Sequence, residues 1–231
     1  MARPVRRITR KDIRRPDQFI TLTGKLLELF AQHRTKFLAL LTLIVALLFA
    51  AWGWDLYRNR QNRLAAHEFS LALDLYHNSK YREALEALAR LDIYRSSNYS
   101  AVGLLYQAHS YIALKDNSNA EAKLQELLRR EKKDPLLRQL ALLTLGYTQE
   151  RSGRFKEAVQ SFSQAETLQG SFKEEALLAK ARSSTLMQNY NEALKAYRQF
   201  VLNYPNSERT KEAMLLAQEM EAKVGTAAAG R

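Results

Sequence analysis

The sequence predicts an all-α protein: a single transmembrane helix, then a stack of about four helix pairs closed by a C-terminal capping helix. Three observations lead to it. Phe37 to Trp54 runs for eighteen residues without a charge. From Asp55 onward the chain is rich in Ala, Leu, Glu, Lys, Arg and Gln, with Gly and Pro only near would-be turns, which is a helical composition. Finally, short segments recur: YREAL at Tyr81 to Leu85, FKEAV at Phe155 to Val159 and YNEAL at Tyr190 to Leu194.

Taken in order, residues 1–36 form a basic cytoplasmic tail. Ten Lys and Arg face three Asp and Glu, so this segment holds +7 of the chain's +12. Pro16 and Asp17 open a helix whose Phe19, Leu22, Leu26, Leu29 and Phe30 share one face. That face suits either the lipid headgroup region or a partner protein. Residues 37–57 form the transmembrane helix, since eighteen apolar residues rise about 27 Å, close to a bilayer's hydrocarbon thickness. The basic flank places the N-terminus in the cytoplasm, and Trp52, Trp54 and Tyr57 fall at the outer interface. A cleaved signal peptide fits less well, because the charged region is long and no Ala-x-Ala site closes the run. A buried core helix would show a polar stripe, and none is present. The chain has no cysteine, which excludes a lipid-modified cysteine anchor and a disulfide framework.

Residues 58–224 form the repeat domain. Its recurring pattern runs Ala84, Leu88, Leu91; Ala120, Leu124, Leu127; Ala158, Phe162, Ala165; and Ala193, Tyr197, Phe200. Twelve positions before each leading alanine stands a small residue, Ala72, Ala108, Gly146 or Ala181, at spacings of 36, 38 and 35. Small side chains at matched positions let two helix backbones approach, while the larger residues fill the space between neighbouring pairs. The eight residues Ala72, Ala84, Ala108, Ala120, Gly146, Ala158, Ala181 and Ala193 are therefore assigned to repeat packing. Helix pairs are placed near 58–94, 98–131, 135–168 and 171–204. Asn206 and Ser207 start a capping helix that covers the stack with Met214 and Leu215, and residues 225–231 form a disordered tail.

This pattern resembles the tetratricopeptide repeat, a helix-turn-helix unit of about 34 residues. The third copy carries it most fully, with Leu142, Leu145 and Gly146 followed by Ala158, Phe162 and Ala165, and the fourth adds Pro205. The resemblance implies a right-handed superhelix with a concave protein-binding groove lined by the first helix of each pair. In that frame the groove residues are Phe69, Leu73, Tyr76, Leu105, His109, Leu143, Tyr147, Leu178 and Arg182, more apolar and aromatic than charged; the alternative is that several of them are ordinary core of a short, tightly wound stack.

Catalysis, cofactors and nucleic acid are not expected. His33, His67, His77 and His109 form no metal-binding pair, and no HExxH, phosphate loop or Gly-x-Ser-x-Gly elbow occurs. Beyond residue 36 the charge is nearly balanced, 26 basic against 21 acidic, with no basic groove for nucleic acid. The overall plan resembles the ancillary subunit family of the bacterial Sec translocon. That resemblance implies an inner-membrane protein with a periplasmic repeat domain, whose partners are translocon subunits, periplasmic chaperones or emerging secretory chains. A dedicated scaffold for envelope assembly or cell division, with one protein partner, is the competing expectation.

Overall fold

The computed structural model describes residues 34–229, and all regular structure among them is helical. The amphipathic helix expected within residues 1–36 falls almost wholly outside the described residues. The chain divides into two compact units, residues 1–57 and 58–231. Helix α1, Arg34–His77, is 44 residues long.

In the first unit the side chains from Phe37 to Tyr57 are exposed. Among the described residues α1 is the helix long and apolar enough to cross a membrane. Thr42 Oγ1 donates to the Leu38 carbonyl at 2.8 Å, so its hydroxyl is satisfied without water.

The second unit begins with the C-terminal part of α1 and continues with α2 (Tyr81–Ala89), a 3₁₀ segment (Arg90–Tyr94), α3 (Asn98–Ala113) and α4 (Asn117–Arg130). It goes on through α5 (Pro135–Arg151), α6 (Phe155–Thr167), α7 (Lys173–Leu186), α8 (Tyr190–Asn203) and α9 (Thr210–Ala229). From α2 onward each helix packs on the next. Ala65 and Ala72 of α1 meet Ala87, Leu88 and Leu91 in the first of four apolar clusters.

The turn inside each pair is built the same way. Ser79, Lys115, Gly153 and Gln188 take left-handed φ values of 60°, 62°, 74° and 59°. The following amide then reaches back five residues: Lys80 to Leu75, Asp116 to Tyr111, Arg154 to Gln149 and Asn189 to Ser184, at 2.8–3.0 Å. These bonds satisfy carbonyls that the ending helix leaves open. Only the third turn uses glycine, so glycine alone does not mark these turns in the sequence.

The seven repeat-packing alanines are fully enclosed, each 0% exposed. A Cβ at Gly146 would lie 2.5 Å from Phe162 Cε1, a measure of how closely α5 and α6 approach.

Two expectations are corrected at the C-terminus. Helix α9 starts at Thr210, whose hydroxyl donates to the Tyr204 carbonyl at 2.5 Å, instead of at Asn206. It turns Ala213, Ala217 and Met220 inward and leaves Met214 and Leu215 47% and 68% exposed. Two alanines at i and i+4 permit closer backbone approach than Met and Leu would, and close packing selects that face. The helix runs to Ala229, into the segment expected as a tail. The alanine-rich stretch favours helix.

Candidate interaction face

The first helices of the pairs, α1, α3, α5 and α7, carry all nine proposed groove residues. The structure sorts them into three groups.

Phe69, Tyr76 and His109 belong to an aromatic patch in the first two pairs. Tyr106 is its centre, with ring centroids 5.4 Å from Phe69, 5.3 Å from Tyr76 and 6.0 Å from His109, all edge to face. Tyr81 and Tyr99 extend it, 5.6 Å from Tyr76 and 5.5 Å from Phe69. Leu73 is half-buried. Edge-to-face rings form a firm platform with polar edges, because the hydrogens at one ring's rim meet the electron-rich face of the next. Burial, then the nearby Tyr81 and Tyr106, push the Tyr76 phenol above its ordinary value, so it stays a neutral donor at physiological pH.

Leu105 and Leu143 are 6% and 5% exposed and belong to the core between helices. At these two positions the structure corrects the open-groove expectation in favour of its core alternative. They share the helical stripe of the groove residues, but neighbouring helices close over them.

Tyr147 and Arg182 sit in a polar network. Arg182 donates from Nε and Nη2 to the two Glu150 carboxylate oxygens at 2.9 and 2.7 Å, and lies over the Tyr147 ring at 5.4 Å. Tyr147 donates its hydroxyl to Glu175, which also accepts from Arg209. Burial, followed by the bond to Glu175, holds the Tyr147 phenol far above its ordinary value. At Glu175 burial opposes ionisation, but hydrogen bonds from Tyr147 and Arg209 outweigh it and lower the pKa. Leu178 is half-buried beside this network. The sequence reading missed Glu150, Glu175 and Arg209, so this end of the face is more charged than expected.

His109 gives a pH prediction. Thr144 Oγ1 spends its proton on the Leu140 carbonyl at 2.9 Å, so the 3.5 Å contact requires the proton on His109 Nε2. Burial lowers the His109 pKa, and the fold therefore prefers the neutral ring. That preference contributes fully above the unfolded value, about 6.5, and is lost as pH falls through the folded value below it. Urea midpoints measured from pH 7.5 downward should decline below about 6.5, and less steeply in His109→Gln. Parallel curves would sink this assignment.

Among the described residues no cluster of His, Asp or Glu could hold a metal ion.

The family profile described as "Tetratricopeptide repeat-like domain" matches residues 28–215. Among solved structures, the chain is similar to nearly identical TPR-like repeats from Podosopora anserina. The TM-score is 0.56 at 16% identity, over 72% of this chain and 89% of that one. A single-substitution variant of those repeats gives 0.53 at 17% identity, over 73% and 94%. No curated protein sequence matches significantly.

Proposed function

Since the chain belongs to the tetratricopeptide repeat-like domain family, and that fold is a protein-interaction scaffold, we propose that it is a membrane-anchored binding module assisting secreted or envelope proteins near the translocation channel. The observation that carries the reading is the combination in one chain of the exposed apolar run in α1 with a repeat domain whose first helices bear an aromatic platform. The family match itself begins at residue 28, so it includes the apolar run as well as the repeats.

The apolar run is the anchor, with the basic tail in the cytoplasm and the repeats in the periplasm. Tyr76, Tyr99 and Tyr106 offer apolar ring faces with hydroxyls that can donate to the carbonyls of an extended chain. Anchoring supplies effective concentration: a weak groove held in the plane of the membrane meets its partners often without binding tightly. Weak binding suits handover, because release has to follow capture.

A photo-crosslinking residue at Leu73 tests this in intact cells. Tyr147 would be a poor position, since its hydroxyl and ring are already engaged by Glu175, Phe162 and Arg182. Translocon subunits, chaperones and many secretory chains are the expected adducts. One recurrent envelope or division protein would replace this reading with the dedicated scaffold. A reporter fused after Arg231 that proved cytoplasmic would reverse the topology.

A further inference from the structure

The polar network that joins the third and fourth pairs borders a recess that the aromatic platform does not use. Its cavity volume is about 500 Å³, and α7, α8 and α9 form its walls. Leu178, Leu186 and Leu216 give it apolar sides, and the buried Tyr197 also lines it. Leu186 is 48% exposed, so part of this apolar surface faces solvent.

Arg182 and Arg209 line it with Glu175 and Glu212, but Arg182 takes its carboxylate from Glu150, outside the lining. Arg182 is neutralised by Glu150 and Arg209 by Glu175. Glu212, on the first turn of α9, is exposed and has no ion-pair partner among the described residues. Counted with Glu150, the group holds three carboxylates and two guanidiniums, and Glu212 is the carboxylate left without an ion pair beside the aliphatic slot. The guanidinium groups also keep N–H donors: a guanidinium has five, and Arg182 spends two on Glu150.

We propose that this recess is a second binding subsite, and that its occupant is an extended peptide segment in which an aliphatic side chain is flanked by lysine or arginine. The aliphatic group enters between Leu186 and Leu216. The neighbouring cation meets Glu212, and backbone carbonyls of the segment accept from Arg182 and Arg209. An acidic segment is disfavoured, because every cation here already has its carboxylate and the remaining charge is negative. The proposal rests on the interaction-module reading and specifies the chemistry of the segment that such a module takes.

The test is fluorescence anisotropy with the full chain in detergent micelles and two short labelled peptides, identical except for Lys or Glu beside one leucine. The Lys peptide should bind more tightly, and Glu212→Gln should weaken it roughly two- to five-fold while narrowing the preference. Leu186→Ser, at a half-exposed site, should weaken both peptides alike. Equal affinities, a preference for the Glu peptide, or indifference to Glu212→Gln would each overturn the proposal. So would concentration-dependent self-association abolished by Leu186→Ser without peptide binding, which would make a second copy the occupant. Binding reduced by Tyr76→Ala but untouched by Leu186→Ser and Glu212→Gln would keep the aromatic platform and remove this subsite. No binding of either peptide by any form would remove both.

Discussion

Phe162→Ala is expected to destabilise the repeat domain by about 3–5 kcal/mol, the usual range for truncating a fully buried aromatic residue. Phe162 is 0% exposed, covers Gly146 and meets the Tyr147 ring edge to face at 5.1 Å. Since glycine contributes no side chain beneath the ring, little material can move in to fill the space. The urea midpoint should fall without a change in slope, and amides of α5 and α6 should lose hydrogen-exchange protection first. A loss below about 1 kcal/mol would mean that the site collapses and that the close approach is not set by this pair.

The same contact has a second side. Sixteen residues separate the small position from its large partner in every copy: Ala72 and Leu88, Ala108 and Leu124, Gly146 and Phe162, Ala181 and Tyr197. A methyl at position 146 would lie 2.5–2.8 Å from three Phe162 ring atoms, so Gly146→Ala must displace the ring. Overpacking costs about 1–3 kcal/mol, offset by about 1 kcal/mol of helix propensity. Gly146→Ala with Phe162→Leu recreates the alanine–leucine pair of the first two copies. The double variant should be more stable than the sum of its singles by about 1–3 kcal/mol, and additivity would refute the pairing.

Gln139→Leu is expected to cost about 2–4 kcal/mol although it replaces a polar core residue with an apolar one of similar size. Gln139 is 0% exposed. Its Nε2 donates to the Ala165 carbonyl at 3.0 Å, and its Oε1 accepts from the Phe172 amide at 3.1 Å. One side chain of α5 therefore satisfies both ends of the connection between α6 and α7. Leucine would leave both backbone groups without that partner. Loss of exchange protection at the Phe172 amide together with a lowered midpoint is the expected pair of readouts. An unchanged midpoint would mean that other groups or water take over both bonds.

Much of the repeat packing is legible in the sequence because its cause is local and periodic. A small residue every 35–38 positions, matched by an alanine twelve residues later, states where two backbones must approach, and all seven alanines in that frame are enclosed. The polar contacts between pairs were harder to read, although a signal exists. Glu121 and Arg154, Glu150 and Arg182, Glu166 and Gln199, and Glu175 and Arg209 bond across 32–34 residues, close to one repeat. A search for complementary polar residues one period apart would have found Glu150 and Glu175. It would not have found Gln139, whose partners are backbone groups and leave no mark in the side-chain sequence.

By itself the sequence determined the apolar run and the helical, repeating plan, because both follow from hydrophobicity and spacing along one chain. Only the tertiary structure decided how much of each inward stripe stays open. Phe69, Tyr76 and Leu178 remain accessible while Leu105 and Leu143 are closed over, and α9 buries Ala213, Ala217 and Met220 in place of Met214 and Leu215. Periodicity fixes the direction in which a side chain leaves its own helix. The rotation and distance of the next helix, set by packing of residues some 35 positions away, decide whether that direction ends in solvent or in another side chain.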